Sequence, residues 1–573
     1  MLKKMESWTK FAKRLSRPGR WEKYSRLLGG ESQRKPNSPL AWAVPHSVLN
    51  GDTLPTIKRW YRSIGAQRKL KSTAREVMTA TGTLTLGAGG QLRTDAESAL
   101  LAIAAAQAMG AIASKSDQGQ WHQTLDHLLD MSVSPRSDWE LSPWGYQLVS
   151  VELSMTLAFM LPEIETMEQT GQEAAIRMNN SLSAMLDLDG WPFADHLPVL
   201  APLAASWTRC LKMARKAGFP SDPAVNEQVQ LLVPQIFRLM RNDGSLMLSN
   251  HQDSPIEGEF ENQLLSLMKG KRRDRKFAQV CRQKKPKTAD VLAIDLPESS
   301  LSEWASSGVY QSQWRRRSPK LAIDYSNQQC RIEVGRDLPL LGGQTMPEIR
   351  LGGQLLEPVS DFEAVCDEQN DDLDFLELEI ELSRGVQLQR QFILSRNDDF
   401  LIVADAVLAT EVGGLDYRCK WPLAPGVSGM QETETRELYL TAGKIQSLVL
   451  PLALPEWKVA PHNGQLDFDD DGLELRQNSS GRALYAPLVF DLSPKRSKRP
   501  RTWRPLTVAE QLKIVPSDVA SAFRIQLDKQ QWILYRSLAE QGNRTFMGEN
   551  FNGELFLGSF DTNGQVKPLL QIE

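Results

Sequence analysis

Histidine is scarce in this sequence: 6 in 573 residues, at positions 46, 122, 127, 196, 251 and 462, and none between 252 and 461. That gap removes imidazole ligands and imidazole bases from a long central stretch. His122 and His127 stand five apart on a predicted helix and share a face poorly, so they do not make a metal pair. Cysteine is equally sparse. The 5 residues, at 210, 281, 330, 366 and 419, are too widely spaced for a CxxC redox or metal motif, and their odd number argues against a disulfide framework. Reduced, buried thiols are expected. HExxH, GxSxG and Walker sequences are also missing, and Gly87-Ala88-Gly89-Gly90 lacks the spacing of a dinucleotide fingerprint. No metal or other cofactor is expected.

Net charge is small as well. A formal value of -3 gives no global attraction to nucleic acid, so any polyanion-binding face has to arise by local clustering. Charges interrupt every apolar stretch of the N-terminal MLKKMESWTKFAKRLSRPGR, leaving no secretory h-region. A cytoplasmic placement is expected. The longest apolar run, Ala99 to Ala113, is mostly alanine and contains Gln107. It is shorter than the roughly 20 residues a membrane-spanning helix needs, and a buried helix is expected instead.

What is present suits a globular chain of two large domains: 41% hydrophobic residues and 15 tryptophans, over a length at which a single core stops growing. Residues 1–70 read as a basic, tryptophan-bearing extension in which Trp8, Phe11 and Leu15 line one face of a short helix that packs on the main body. Residues 71–290 read as helical. Leu148, Val151, Met155 and Phe159 follow the three-and-four spacing of one buried helix face, and Val229, Leu232, Ile236, Phe237 and Met240 repeat it. Pro234 requires that second helix to start near it or bend there. Asp187-Leu188-Asp189-Gly190-Trp191 and Arg241-Asn242-Asp243-Gly244-Ser245 supply matching helix stops, so stacked helical hairpins are expected. Residues 291–573 read as an antiparallel β-sandwich. Leu376 to Leu382 alternates without a break, Ser383-Arg384-Gly385 turns, Val386 to Leu394 returns, and Phe400 to Val407 is an apolar strand. Two basic stretches, Lys271–Lys287 and Lys495–Arg504, read as a linker and a surface loop.

Four segments, taken in order, carry a resemblance. They are Leu232–Asn250 (LVPQIFRLMRNDGSLMLSN), Ser307-Gly308-Val309-Tyr310 followed by Trp314, Arg350–Pro358 (RLGGQLLEP), and Gln387–Asp405 (QLQRQFILSRNDDFLIVAD). Together they are similar to the heparinase II/III-type polysaccharide lyases over roughly residues 100 to 430. The resemblance implies an α+β multidomain fold, an (α/α) toroid-like helical domain followed by a large antiparallel β-sandwich. It also implies β-elimination on a uronate-containing glycan: a base removes the proton α to the carboxylate, an Asn or His neutralises that carboxylate, and an acid protonates the departing oxygen. Active relatives carry a Gly-His-x-His-type segment ahead of the Arg350–Pro358 equivalent. Here the corresponding Cys330–Gln344 contains no histidine.

Six residues remain as candidates by type and position. Tyr146 is a proton-transfer phenol, with packing beside Trp144 as its competing role. Asn250 is a carboxylate partner, and His251 assists it. Arg209, Trp207 and His196 bind sugar by charge and stacking, with core packing as the alternative. The expected partner is an acidic glycan or oligosaccharide, with no nucleic acid and no membrane span. Two rivals stand beside the lyase reading. One is a non-catalytic scaffold that binds a protein or glycan through its basic loops. The other is a toroidal glycoside hydrolase that uses Asp187 or Asp189, although the Asp-Gly context makes both turn formers first.

Overall fold

The computed structural model describes the chain apart from residues 1–6, 18, 29–38, 46–48, 50, 85–91, 134–142, 250–254, 269–275, 278–279, 281–293, 295, 315–317, 444, 494 and 561–563. It divides into two compact units, Met1–Ala278 and Gln279–Glu573. The boundary expected at 290 therefore falls inside the second unit, and most of the basic 271–287 stretch lies outside the described residues.

The first unit is helical. In chain order it contains α1 (Trp8–Leu15), α2 (Gly19–Leu27), α3 (Thr53–Gly65), α4 (Leu70–Gly82), α5 (Leu92–Ile112), α6 (Gln118–Val133), α7 (Pro143–Tyr146), α8 (Ser154–Met160), α9 (Thr166–Met185), α10 (Leu200–Ala217), α11 (Pro223–Leu239) and α12 (Gly258–Leu265). The alanine run belongs to α5, which is packed by α1 to α4, α6, α7 and α8. A helix surrounded this way needs small side chains so that its neighbours can approach, which explains the alanine. By length and composition α5 could cross a membrane, yet its apolar window is 83% buried inside the unit. As expected, the helix of the basic 1–70 segment packs on the body of the unit: Phe11, Leu15 and Tyr24 are buried, Trp8 stands 5.4 Å from Trp121, and Trp42 stacks on Phe260 at 5.3 Å.

The two expected helix stops share one construction. After α9, the Asp187 carboxylate accepts the amides of Asp189 and Trp191 at 2.9 and 2.7 Å, and Leu186 pairs with Pro192. After α11, Asp243 accepts the Ser245 amide and hydroxyl at 2.9 and 2.6 Å, and Met240 pairs with Leu246. Gly190 closes the first turn at φ +73, where a Cβ would lie 2.4 Å from the Leu232 amide nitrogen. We expect Gly190→Ala to cost about 1–3 kcal/mol, seen as a lower urea midpoint for the helical unit. α11 opens on Pro223 with Asp222 capping it at 2.8 Å and runs through Pro234. The alternative that this helix starts near Pro234 is thus corrected; Pro223 supplies the fixed φ of the first helical position.

The second unit is antiparallel throughout its named strand pairs. An eight-stranded sheet is ordered Val427–Gln431, Leu438–Ala442, Ile445–Pro451, Ala483–Asp491, Phe400–Leu408, Val386–Ser395, Leu373–Leu382, Glu363–Gln369. The last of these is an edge strand, and its register slips between Ala364 and Cys366. One face of the sheet packs Leu376, Leu388 and Val403 against Ile332, Tyr417 and Leu475 of two five-stranded sheets. The other packs Phe375, Ile402 and Val489 against Trp503, Ile525 and Trp532 of a third. Phe400–Leu408 lies inside with both faces covered, so its sequence is apolar on both faces apart from Asp405. Leu373–Leu382 alternates because Glu379 and Glu381 reach a partly open face. The expected Lys495–Arg504 loop is corrected at its end, where Arg501–Leu506 is a strand of that third sheet; Arg496 is buried on Asp491 at 2.7 Å and Arg501 sits on Glu437 at 2.8 Å, so two of its cations hold the fold together.

Candidate functional site

In the helical unit, α7 runs directly into a π-helical segment, Gln147–Leu153, all of which is buried. Such wide turns often occur at functional sites. This one carries Glu152 into the core, where it meets α10. Arg209 Nε and an Arg209 terminal nitrogen donate to the two Glu152 oxygens at 2.6 and 2.8 Å, and the Ser206 hydroxyl donates at 2.6 Å. The other Arg209 terminal nitrogen donates to the Pro39 carbonyl at 2.9 Å. The Gln147 amide donates to Ser206 at 3.1 Å. Nearby, the Gln107 amide donates to Tyr24 at 2.6 Å, and Tyr61 donates to Gln107. Burial and the neighbouring Tyr61 push the Tyr24 phenol well above its ordinary range, and burial does the same to the Cys210 thiol. Both stay neutral.

α7 also packs against α10 and against the 3-10 turn Ala194–Val199, which carries His196. Three sequence candidates, Tyr146, His196 and Trp207, therefore lie on elements that meet. Tyr146 is half-buried at the junction of α7 with the π segment. Burial lowers the His196 pKa, with Asp195 opposing, so the imidazole is neutral and proton-accepting near pH 7. Among the described residues, the buried Trp144 Nε1, Trp207 Nε1 and Gln147 Oε1 have no hydrogen-bond partner, which concentrates unused polar capacity on α7, α10 and the start of the π segment.

Two candidates are corrected. Arg209 is only 2% exposed, with Glu152 and Pro39 filling its fork, so it anchors the π segment and has no free face for a substrate acid group. Trp207 is buried too and packs instead of presenting a stacking surface. Asn250 and His251 lie outside the described residues; Ser249, just before them, is buried. Asp187 is taken up by turn amides, and Asp189 is exposed. Glu152, Gln147 and Ser206 were not singled out by sequence. The signal that could have found them is the lone glutamate inside the apolar LVSVELSMTLAF run, which demands a buried cation.

In the second unit, the strand pair Val386–Ser395 and Phe400–Leu408 sets Arg390 opposite Asp405. Two hydrogen bonds of 2.8 Å join them, both side chains being fully buried. The Tyr417 hydroxyl donates to Asp405 at 2.7 Å. Arg390 also donates to the Thr345 carbonyl at 3.1 Å and lies 4.7 Å from the Trp421 ring. Burial pushes the Cys330 thiol up to about 12 and Cys419 to about 11, so these sulfurs are inert here. The histidine-free segment forms the hairpin Cys330–Gly335 and Pro339–Thr345, pinned by Arg336 on Asp399 at 2.7 Å. No metal-holding group of three His, Cys, Asp or Glu occurs among the described residues.

No protein-family model matches the chain, and no curated protein matches it. Solved structures match by shape. A mutant of the heparan sulfate lyase HepC from Pedobacter heparinus superposes with a TM-score of 0.59 at 11% identity, over 92% of this chain and 95% of that one. The fold is that of the heparinases. A second structure, a heparinase III gene product, gives a TM-score of 0.57 at 9% identity, over 91% and 90% of the two chains. Another heparinase III gives 0.56 at 10% identity, over 85% and 82%. In heparinase-fold terms the helical unit is the toroid-like domain and the second unit is the sandwich, with the Arg390–Asp405 pair at the sandwich core. At these identities the likeness is one of fold.

Proposed function

We propose that this protein engages an acidic, uronate-containing glycan through its heparinase fold, and that elimination, where it occurs, proceeds without a sandwich histidine. The observation that carries the reading is the meeting of α7, the 194–199 turn and α10, which collects a half-buried phenol, a neutral imidazole, two unpaired buried indole N–H groups and one unpaired amide oxygen. β-Elimination breaks the bond from C4 to the glycosidic oxygen, forms a C4–C5 double bond, and moves a proton from C5 to the base and another to the departing oxygen. Tyr146 is the group assigned to proton transfer, with His196, on the turn that meets α7, as acceptor. Asn250 and His251 keep their assigned roles at the substrate carboxylate. The cytoplasmic placement belongs to this proposal; free thiols at Cys210, Cys330, Cys366 and Cys419 support it.

The test is absorbance in the unsaturated-uronate band during incubation with acidic polysaccharides and their oligosaccharides. A rise that Tyr146→Phe reduces by about 10²-fold or more supports the assignment. Silence, with glycan binding intact, moves the protein to the non-catalytic reading favoured by the histidine-free 330–344 hairpin. New reducing ends without absorbance would mean hydrolysis and would overturn elimination. The turn-bound Asp187 argues against that outcome.

A further inference from the structure

Residues 1–75 carry 18 Lys and Arg against 4 Asp and Glu, in a chain whose net charge is -3. The described part of this segment includes α1 to α4, and all four helices pack on α5. α2 meets α3 where Trp21 stands 4.8 Å from Tyr61. α3 meets α4 where Arg59 and Trp60 both donate to Glu76, at 3.0 and 3.2 Å. α2, α3 and α4 thus form a contiguous layer, and α1 is joined to it through α5. Its apolar side chains, among them Phe11, Ile57 and Val77, turn inward, while Lys10, Lys13, Lys58, Arg62, Lys71 and Arg75 are exposed. These six have no carboxylate partner among the described residues. Arg20, whose pKa burial and then Arg14 and Arg17 lower, pairs with Glu163 and stands outside this array.

We propose that this layer is a second, non-catalytic docking surface for a linear anionic polysaccharide. The choice of polymer rests on the acidic-glycan reading above; the existence of the surface does not. Two features select a hydrated polyanion over other anionic partners. No large apolar side chain on α1 to α4 is exposed among the described residues, so the layer offers no wedge for a lipid interface, which interfacial helices need. The aromatic side chains of these helices are buried or half-buried, so it offers no stacking platform of the kind that holds unpaired bases. What remains is a dense array of cations on rigid helices, which attracts repeating carboxylates or sulfates through long-range electrostatics and counterion release. A polymer held there is kept at high local concentration for the same molecule.

The experiment uses the full chain and two fluorescein-labelled probes, heparin and polygalacturonate, titrated at 50 and 200 mM salt. The variant Lys58→Glu/Arg62→Glu/Lys71→Glu/Arg75→Glu is compared with the parent and with a charge-keeping variant, Lys58→Arg/Arg62→Lys/Lys71→Arg/Arg75→Lys. The expected result is at least about tenfold weaker binding and a shallower salt dependence for the reversed variant only. Unchanged affinity in a folded reversed variant overturns the surface. So does tighter parent binding, at equal charge concentration, to phosphatidylserine vesicles or to a DNA duplex. The two proposals fail separately. Layer-dependent binding with no turnover keeps the surface and removes the lyase; turnover of a tetrasaccharide with layer-independent polymer binding does the reverse.

Discussion

Arg390→Met lowers the stability of the sandwich unit by about 3–5 kcal/mol, the loss that follows when one partner of a buried ion pair is removed. Asp405 is fully buried, and without the guanidinium it keeps only the Tyr417 hydroxyl at 2.7 Å. The carboxylate then either stays ionised in a low-dielectric core or takes up a proton, and both cost folding free energy. The loss of Arg390 also strips a donor from the Thr345 carbonyl and the cation from the Trp421 face. Urea unfolding followed by tryptophan fluorescence reads the change as a lower midpoint at unchanged slope. Arg390→Met/Asp405→Leu recovers most of the loss, because the strain lies in the orphaned charge. A single variant within about 1 kcal/mol of the parent would sink this account.

Glu152→Leu produces a comparable loss, about 3–5 kcal/mol, in the helical unit, by leaving Arg209 charged among α10, the π segment and Pro39. Arg209→Met should suffer similarly, and the pair Glu152→Leu/Arg209→Met should be milder than either. The Glu152–Arg209 pair also bears on function. A heparinase-fold protein that loses glycan binding on replacement of Arg209 invites the conclusion that this arginine touches the substrate. The geometry says the α7–π junction carrying Tyr146 has come loose instead. If Arg209→Met kept parental stability while losing glycan affinity, direct contact would be restored and the positioning role abandoned.

The helical and sandwich halves were readable because each repeats a simple period. Leu148, Val151 and Met155 are buried, although so is every residue of Gln147–Leu153, and Leu376 to Leu382 does alternate as a strand with one partly open face. Phe400 to Val407 showed no alternation because sheets cover both its sides. The π segment left no trace, since an added residue in LVSVELS still fits an apolar helical spacing. Pro234 misled in part: missing one amide did not stop α11, which Asp222 and Pro223 had already started. The candidate site was less legible. Tyr146 and His196 come from segments whose meeting is set by packing, which no spacing encodes, and Arg209 looks the same in sequence whether its partner is a substrate or Glu152.

The eight-stranded sheet ends on Glu363–Gln369, whose outer backbone groups have no neighbouring strand in that sheet. Glu363, Asp367 and Glu368 are exposed there, and the register slip after Ala364 bends the strand away from regular pairing. Both features discourage edge-to-edge addition of another chain. A sheet with most of its strands covered on two faces is thereby kept from seeding fibrils, and the acidic side chains along this rim act as guards against self-association.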